Sequence, residues 1–294
     1  MPQPQNVIGI VYDFDKTLSP KSMQEETLFP LLSIDEKAFW KQVDGLVGER
    51  HYENELAWMH LLLEDKGFRQ LSNSDLRLMG SQLSYYPGVP NIFSELSDEI
   101  EKSDIVGPGS GAVRLEHYII TSGLREILEG SQLSSHVKAI FGSEFDEDYE
   151  GKLSFPKRTV GHTQKTQYLF RVSKGYLDLH EDVNDQLPDQ DKPIPLHNMI
   201  YVGDGASDVP CFSVMRSAGG RTIGVYDPKD EGSFTKCMQL RKAARVTEVA
   251  EADYQKGTHL WRLLVYMIHD IAAEIKQDLH DRNEPKVIPA PKNE

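Results

Sequence analysis

Residues 7–17 read Val7-Ile8-Gly9-Ile10-Val11-Tyr12-Asp13-Phe14-Asp15-Lys16-Thr17. The first six are apolar or small, rich in β-branched side chains and free of polar alternation, as a strand buried on both faces of a parallel sheet requires. The run stops abruptly on two aspartates spaced i, i+2. In open α/β sheets ligands bind beyond the carboxyl ends of the strands, so these acids fall where a site is expected. Two carboxylates held close repel each other, and a divalent cation relieves the repulsion. One of the pair can attack phosphorus and form an acyl-phosphate. The other can protonate the leaving oxygen and later activate water. Taken alone, the same residues would equally suit an acidic turn without chemistry.

Four further runs read as strands: His117 to Ile120, Val137 to Phe141, Asn198 to Val202 and Arg221 to Val225. Helical segments separate several of them, and that alternation predicts an α/β fold, a Rossmann-like parallel sheet with helices on both faces. Residues 20–84 carry helical periodicity (Ile34, Trp40, Val43, Leu46 and Val47 on one face; Leu56, Met59 and Leu63 on another) and read as an inserted all-helical unit. Asp35 and Glu36 sit where a helix start favours acids. Residues 144–158 read as a hairpin or irregular excursion turning at Gly151, residues 107–111 as a Gly/Pro-rich loop, and 181–197, acidic and with three prolines, as another loop. The last helix, from His259 to Lys276, carries a strongly apolar face that suits packing on the core. Its other face lacks the basic cluster of a membrane-binding helix. The expected organisation is a core of 1–19 and 85–280, a helical unit of 20–84 and a disordered tail of 281–294.

Three more groups follow the acidic pair in order. Thr121-Ser122-Gly123 comes directly after a strand, where a hydroxyl and free backbone amides can receive an anion. By itself it equally suits a helix N-cap. Lys165, near a helix start, could neutralise two acids and a phosphate oxygen, though Lys152, Lys157 and Lys174 compete for that role. Gly203-Asp204-Gly205-Ala206-Ser207-Asp208 follows a strand, its glycines allowing a tight turn and close approach to the first strand. Asp204 would supply a further oxygen ligand, and Asp208 could hold it or a water. The succession carries more weight than any member.

Composition bounds the alternatives. Apolar residues are 39% of the 294, enough for a sizeable core, yet no run of about 18 apolar residues suggests a membrane span. Met1 to Asn6 lacks the pattern of a secretory signal. The net charge of −14 argues against general nucleic-acid affinity, since phosphate backbones need a basic face. Two cysteines, Cys211 and Cys237, are too few for a disulfide framework. The expectation is a soluble, cytoplasmic protein without a nucleic-acid or membrane partner, of open oligomeric state.

Asp13-Phe14-Asp15-Lys16-Thr17, Thr121 or Ser122, Lys165, and Asp204 with Asp208 together resemble the four motifs of the haloacid-dehalogenase superfamily, over residues 7–226. The helical stretch lies where that superfamily inserts a C1-type cap, and the combination is most similar to its phosphoserine-phosphatase-like branch. The resemblance implies a Mg²⁺-dependent phosphomonoester hydrolase acting on a small phosphorylated metabolite. Asp13 would be nucleophile and metal ligand. Asp15 would be general acid/base, with its backbone carbonyl on the metal. Asp204 would be the third protein ligand, with Asp208 supporting the metal shell. Thr121 or Ser122, Gly123 and Lys165 would hold the phosphoryl group. A phosphotransferase or phosphomutase with the same covalent intermediate is the alternative, followed by a non-catalytic binding module. Asp15 disfavours a dehalogenase, which needs no leaving-group acid. Within the cap, Glu25, Glu26, Arg50, His51, Trp58 and Arg69 are candidates to touch a substrate, although surface or packing duty explains each.

Overall fold

The computed structural model describes residues 5–101 and 112–283. The Gly/Pro-rich stretch 107–111 and the tail beyond 283 lie outside the described residues.

Seven strands form one sheet in the order β4-β3-β2-β1-β5-β6-β7. They are β1 (Val7–Tyr12), β2 (Arg114–Leu124), β3 (Ala139–Glu147), β4 (Leu153–Arg158), β5 (Met199–Gly203), β6 (Arg221–Tyr226) and β7 (Glu248–Glu251). All neighbours pair in parallel except β3 with β4, which run antiparallel. Every residue of β1 is buried, because it is central and covered on both faces. Its alternation sorts the core. Ile8, Ile10 and Tyr12 join one apolar cluster, and Val7 and Val11 join the other.

Between β1 and β2 come α1 (Met23–Glu26), α2 (Leu28–Leu32), α3 (Glu36–Arg50), α4 (Asn54–Glu64), α5 (Asn73–Met79) and α6 (Asn91–Glu101), with no strand among the described residues there. Then follow α7 (Arg125–Glu129), α8 (Gln164–Lys174), α9 (Val209–Ser217), α10 (Glu231–Lys242) and α11 (His259–Asn283). Asp35 caps α3, its side chain accepting from the Ala38 amide. On one face of the sheet α6 and α11 pack through Ile92, Leu96, Leu264, Ile268 and Ile271, and the same cluster continues into Phe39, Val43, Trp58, Met59 and Leu76 of α3, α4 and α5. On the other face α8 and α9 pack through Tyr168, Leu169, Val172, Phe212 and Met215. No helix among the described residues is long and apolar enough to cross a membrane.

Several boundaries differ from the sequence reading. The excursion at 144–158 is the β3–β4 hairpin, turning at Gly151 with φ of 74°. Strand β7 escaped notice because Glu-Val-Ala-Glu has too few β-branched residues to stand out. Helix α11 runs to Asn283 rather than Lys276, past the 281 at which the tail was expected to begin, since polar residues extend a helix once a packed turn has nucleated it. The hairpin is anchored by the buried Glu144, which meets Lys157 at 3.1 Å, Arg125 at 3.2 Å and also Arg158.

Candidate active site

The carboxyl ends of β1, β2 and β5 converge with the start of α8 on an open cavity of about 280 Å³. Asp13, Asp15, Ser122, Lys165 and Asp204 line it, together with Lys16, Ser22, Asn54, Glu55, His162 and Ser207. Asp13 is set beside β5 because its amide continues the ladder, donating to the Val202 carbonyl at 2.9 Å. The chain then folds back, with the amides of Thr17, Leu18 and Ser19 all directed at the Phe14 carbonyl and Lys16 in the left-handed region at φ 60°. Tyr254 closes this loop from outside, its hydroxyl donating to the Thr17 carbonyl at 2.8 Å.

Lys165 is 1% exposed and bridges two acids. Its Nζ lies 2.8 Å from Asp13 Oδ1 and 2.9 Å from Asp208 Oδ1. Burial alone would discharge an ammonium, but Asp13 and Asp208 more than offset that and hold its pKa above the usual lysine range. The rival lysines are engaged elsewhere: Lys152 with the Gln70 carbonyl, Lys157 with Glu144, Lys174 with the carbonyls of Val183 and Asp185. Asp208 is fully buried. Besides Lys165, it accepts from the Tyr201 hydroxyl at 2.7 Å and the Gly205 amide at 3.3 Å. A Cβ on Gly203 would fall 2.4 Å from Asp208 Oδ2, so this glycine makes room for the Asp208 carboxylate rather than for the first strand.

The acids disturb one another. Burial, with Asp208 adding and Lys165 opposing, pushes Asp13 up to about 6. Burial and then the charge of Asp13 push Asp15 up to about 7. Burial, with Asp208 and Asp13, holds Asp204 well above the ordinary carboxyl value. Asp15 Oδ1 is held by the Met23 amide at 2.8 Å. Oxygens of Asp13, Asp204 and Asp208 lie within 4.8 Å of one another. This all-oxygen, mutually repelling set fits a hard divalent cation. The carboxylate of Asp15 stands outside the set.

The Thr-Ser-Gly segment leads into α7, which begins two residues on at Arg125, but it is still strand and not the helix cap itself. Strand β2 continues through it to Leu124, with the β3 pairing interrupted between Ile120 and Leu124. The interruption arises because side chains replace the ladder. Thr121 Oγ1 accepts from the Gly123 amide at 3.0 Å, and Ser143 Oγ donates to the Ser122 carbonyl at 2.9 Å. Thr121 is thereby fully buried and turned inward. Ser122 lines the cavity, and its Oγ has no partner among the described residues.

None of Glu25, Glu26, Arg50, His51, Trp58 or Arg69 lines the cavity. Glu25 accepts from the Trp40 indole, Glu26 accepts from Ser84, Arg50 stacks over Tyr52, and Trp58 is core. The helical segment instead contributes Ser22, Asn54 and Glu55, and the loop before α8 contributes His162. Sequence reasoning passed over these residues. Glu55 carried one usable signal, an acid among the apolar positions of α4.

No family model matches the chain. An uncharacterised protein of Borreliella burgdorferi is 30% identical over 294 aligned positions, covering 91% of this chain and 99% of its own. Among solved structures, a HAD-family hydrolase from Salmonella enterica serovar Typhi superposes with a TM-score of 0.57 at 15% identity, covering 90% of this chain and 72% of its own. A probable phosphoserine phosphatase from Vibrio cholerae gives 0.55 at 13%, covering 94% and 68%. A phosphoserine phosphatase caught as a phospho-aspartyl intermediate analogue gives 0.53 at 14%, covering 89% and 99%.

Proposed function

Because this chain belongs to one family with the Borreliella protein and has the haloacid-dehalogenase-like fold of the phosphoserine-phosphatase-like branch, we propose that it is a magnesium-dependent phosphomonoesterase acting through an aspartyl-phosphate. The observation that carries the reading is the Lys165 bridge. It orients one buried carboxylate, that of Asp13, at the mouth of a cavity shared with a second acid of raised pKa and an unpartnered serine hydroxyl.

The substrate's phosphoryl group lies against Ser122 Oγ and Lys165. Asp13 Oδ attacks phosphorus, the bond from phosphorus to the alkoxide oxygen breaks, and Asp15 delivers its proton to that oxygen. Asp15, now ionised, takes a proton from the water that attacks the phosphorus of the aspartyl-phosphate, the bond from phosphorus to Asp13 Oδ breaks, and inorganic phosphate leaves with the Asp13 carboxylate restored. A pKa near 7 suits both halves of that duty at neutral pH. Asp13 and Asp204, with the Asp15 carbonyl, would hold Mg²⁺, which when bound supplies neutralising charge to the phosphoryl oxygens. Asp208, saturated by Lys165, Tyr201 and the Gly205 amide, serves as the orienting residue. The small cavity and the reach of Asn54 and Glu55 into it support residues 20–84 as a cap over a small substrate.

The test is phosphate release from a panel of small phosphomonoesters, with magnesium and with chelator, by wild type and Asp13→Asn. Magnesium-dependent release that vanishes in the variant is expected. Release retained by Asp13→Asn would reject Asp13 as nucleophile.

A further inference from the structure

Glu55 has no task in the chemistry above. It is the second residue of α4, only 5% exposed, and it lines the cavity. No ion pair or hydrogen bond reaches its carboxylate among the described residues. The loop before α8 closes on it, since a Cβ on Gly161 would stand 3.0 Å from Glu55 Oε2. Its carboxylate therefore faces the cavity without a cation of its own.

The lysines of the cavity do not pair with it. Lys165 is already shared between Asp13 and Asp208. Lys16 is exposed, on the loop after β1. No arginine among the described residues lines the cavity. A substrate carrying a carboxylate beyond its phosphoryl group would face Glu55 with no guanidinium to receive it. A substrate carrying a protonated amine would find a buried acceptor waiting.

We propose that Glu55 is the specificity-determining residue for the non-reacting end of the substrate, selecting phosphomonoesters that bear a protonated amine over neutral and carboxylate-bearing ones. The inference rests on the phosphatase reading and adds the chemical class of its substrate.

Three two-carbon probes isolate the effect: phosphoethanolamine, 2-hydroxyethyl phosphate and phosphoglycolate. Their kcat/KM values are measured with wild type, Glu55→Gln and Glu55→Asp, and their Kd values with Asp13→Asn with and without Glu55→Gln. The expected wild-type preference for phosphoethanolamine over hydroxyethyl phosphate is roughly 10–100-fold, as for a buried charge-assisted hydrogen bond. That ratio should collapse toward about 1 in Glu55→Gln and partly return in Glu55→Asp. The Kd ratios should move in parallel. Equal use of the three probes by wild type, or an unchanged ratio in Glu55→Gln, overturns the Glu55 assignment while the phosphatase stands. So does hydrolysis of other phosphomonoesters with none of the three bound. Absence of magnesium-dependent hydrolysis across the whole panel overturns the reading beneath it as well.

Discussion

Replacing Lys165 with methionine keeps the length of the stem and removes the ammonium. In the native chain that ammonium sits 2.8 Å from Asp13 and 2.9 Å from Asp208. Removing one partner of a buried ion pair costs about 3–5 kcal/mol, a large share of a typical total of roughly 5–15 kcal/mol. The pH dependence identifies the cause. Burial already raises Asp13 to about 6 with Lys165 opposing the shift, so its loss moves the carboxyl higher. A carboxyl with a raised folded pKa contributes stability that is full below its unfolded value, roughly 4, and is lost as pH rises through the folded value. The deficit of Lys165→Met should therefore be widest at pH 8 and narrow toward pH 5, by about 1 kcal/mol per pH unit for each acid that titrates. Urea denaturation of both proteins in chelator, at constant ionic strength from pH 5 to 8, measures it. A deficit of equal size at pH 5 and pH 8 would refute the electrostatic argument and assign the loss to packing.

Ser122→Ala should lower kcat/KM for phosphomonoesters roughly 10–100-fold and leave the melting temperature near wild type, because no group among the described residues loses a bond. Thr121→Val should instead cost about 1 kcal/mol of stability, and a larger kinetic loss in Thr121→Val than in Ser122→Ala would reverse the assignment. Asp15→Asn should slow alkyl phosphates about 10²–10⁴-fold but spare a nitrophenyl phosphate, whose leaving group needs no proton; equal losses would remove Asp15 from the acid role. The wild-type rate with alkyl phosphates should fall as pH rises above about 7, where Asp15 loses its proton. Glu144→Gln tests the hairpin anchor. Burial works against the charge of Glu144, yet Arg158, Lys157 and Arg125 outweigh it and hold the pKa below the ordinary value. A depressed carboxyl contributes stability present above its unfolded pKa and lost as pH falls through the folded one. Denaturation should thus show a deficit of about 1–3 kcal/mol at pH 7 that closes below roughly pH 4, and a deficit persisting in acid would contradict it.

Strand β1 was readable to the residue, because a segment buried on both faces must be apolar throughout and its end is marked by the first charge. The turn at Gly151 and the helical periodicity within 20–84 were readable for similarly local reasons, although 144–158 stood open between a hairpin and an irregular excursion. So was the placement of Asp13, Asp15 and Asp204 just beyond strand ends, which follows from topology once the strands are known. The Ser122 region was readable as a strand end leading into a helix, but not which of its two hydroxyls is free, because Thr121 spends its own side chain on the Gly123 amide.

The local pattern of apolar and polar residues determined the α/β sheet and the sequence positions at which acids could gather, since periodicity is a property of a few successive residues. Tertiary structure decided which lysine of four reaches Asp13, which hydroxyl of two faces the cavity, and that Glu55 and His162, more than 100 residues apart, share its wall. Those outcomes depend on the packing of α4 and α8 over the sheet and on which buried groups are left to pair. Contacts of that kind join distant parts of the chain, and no spacing along the sequence encodes them.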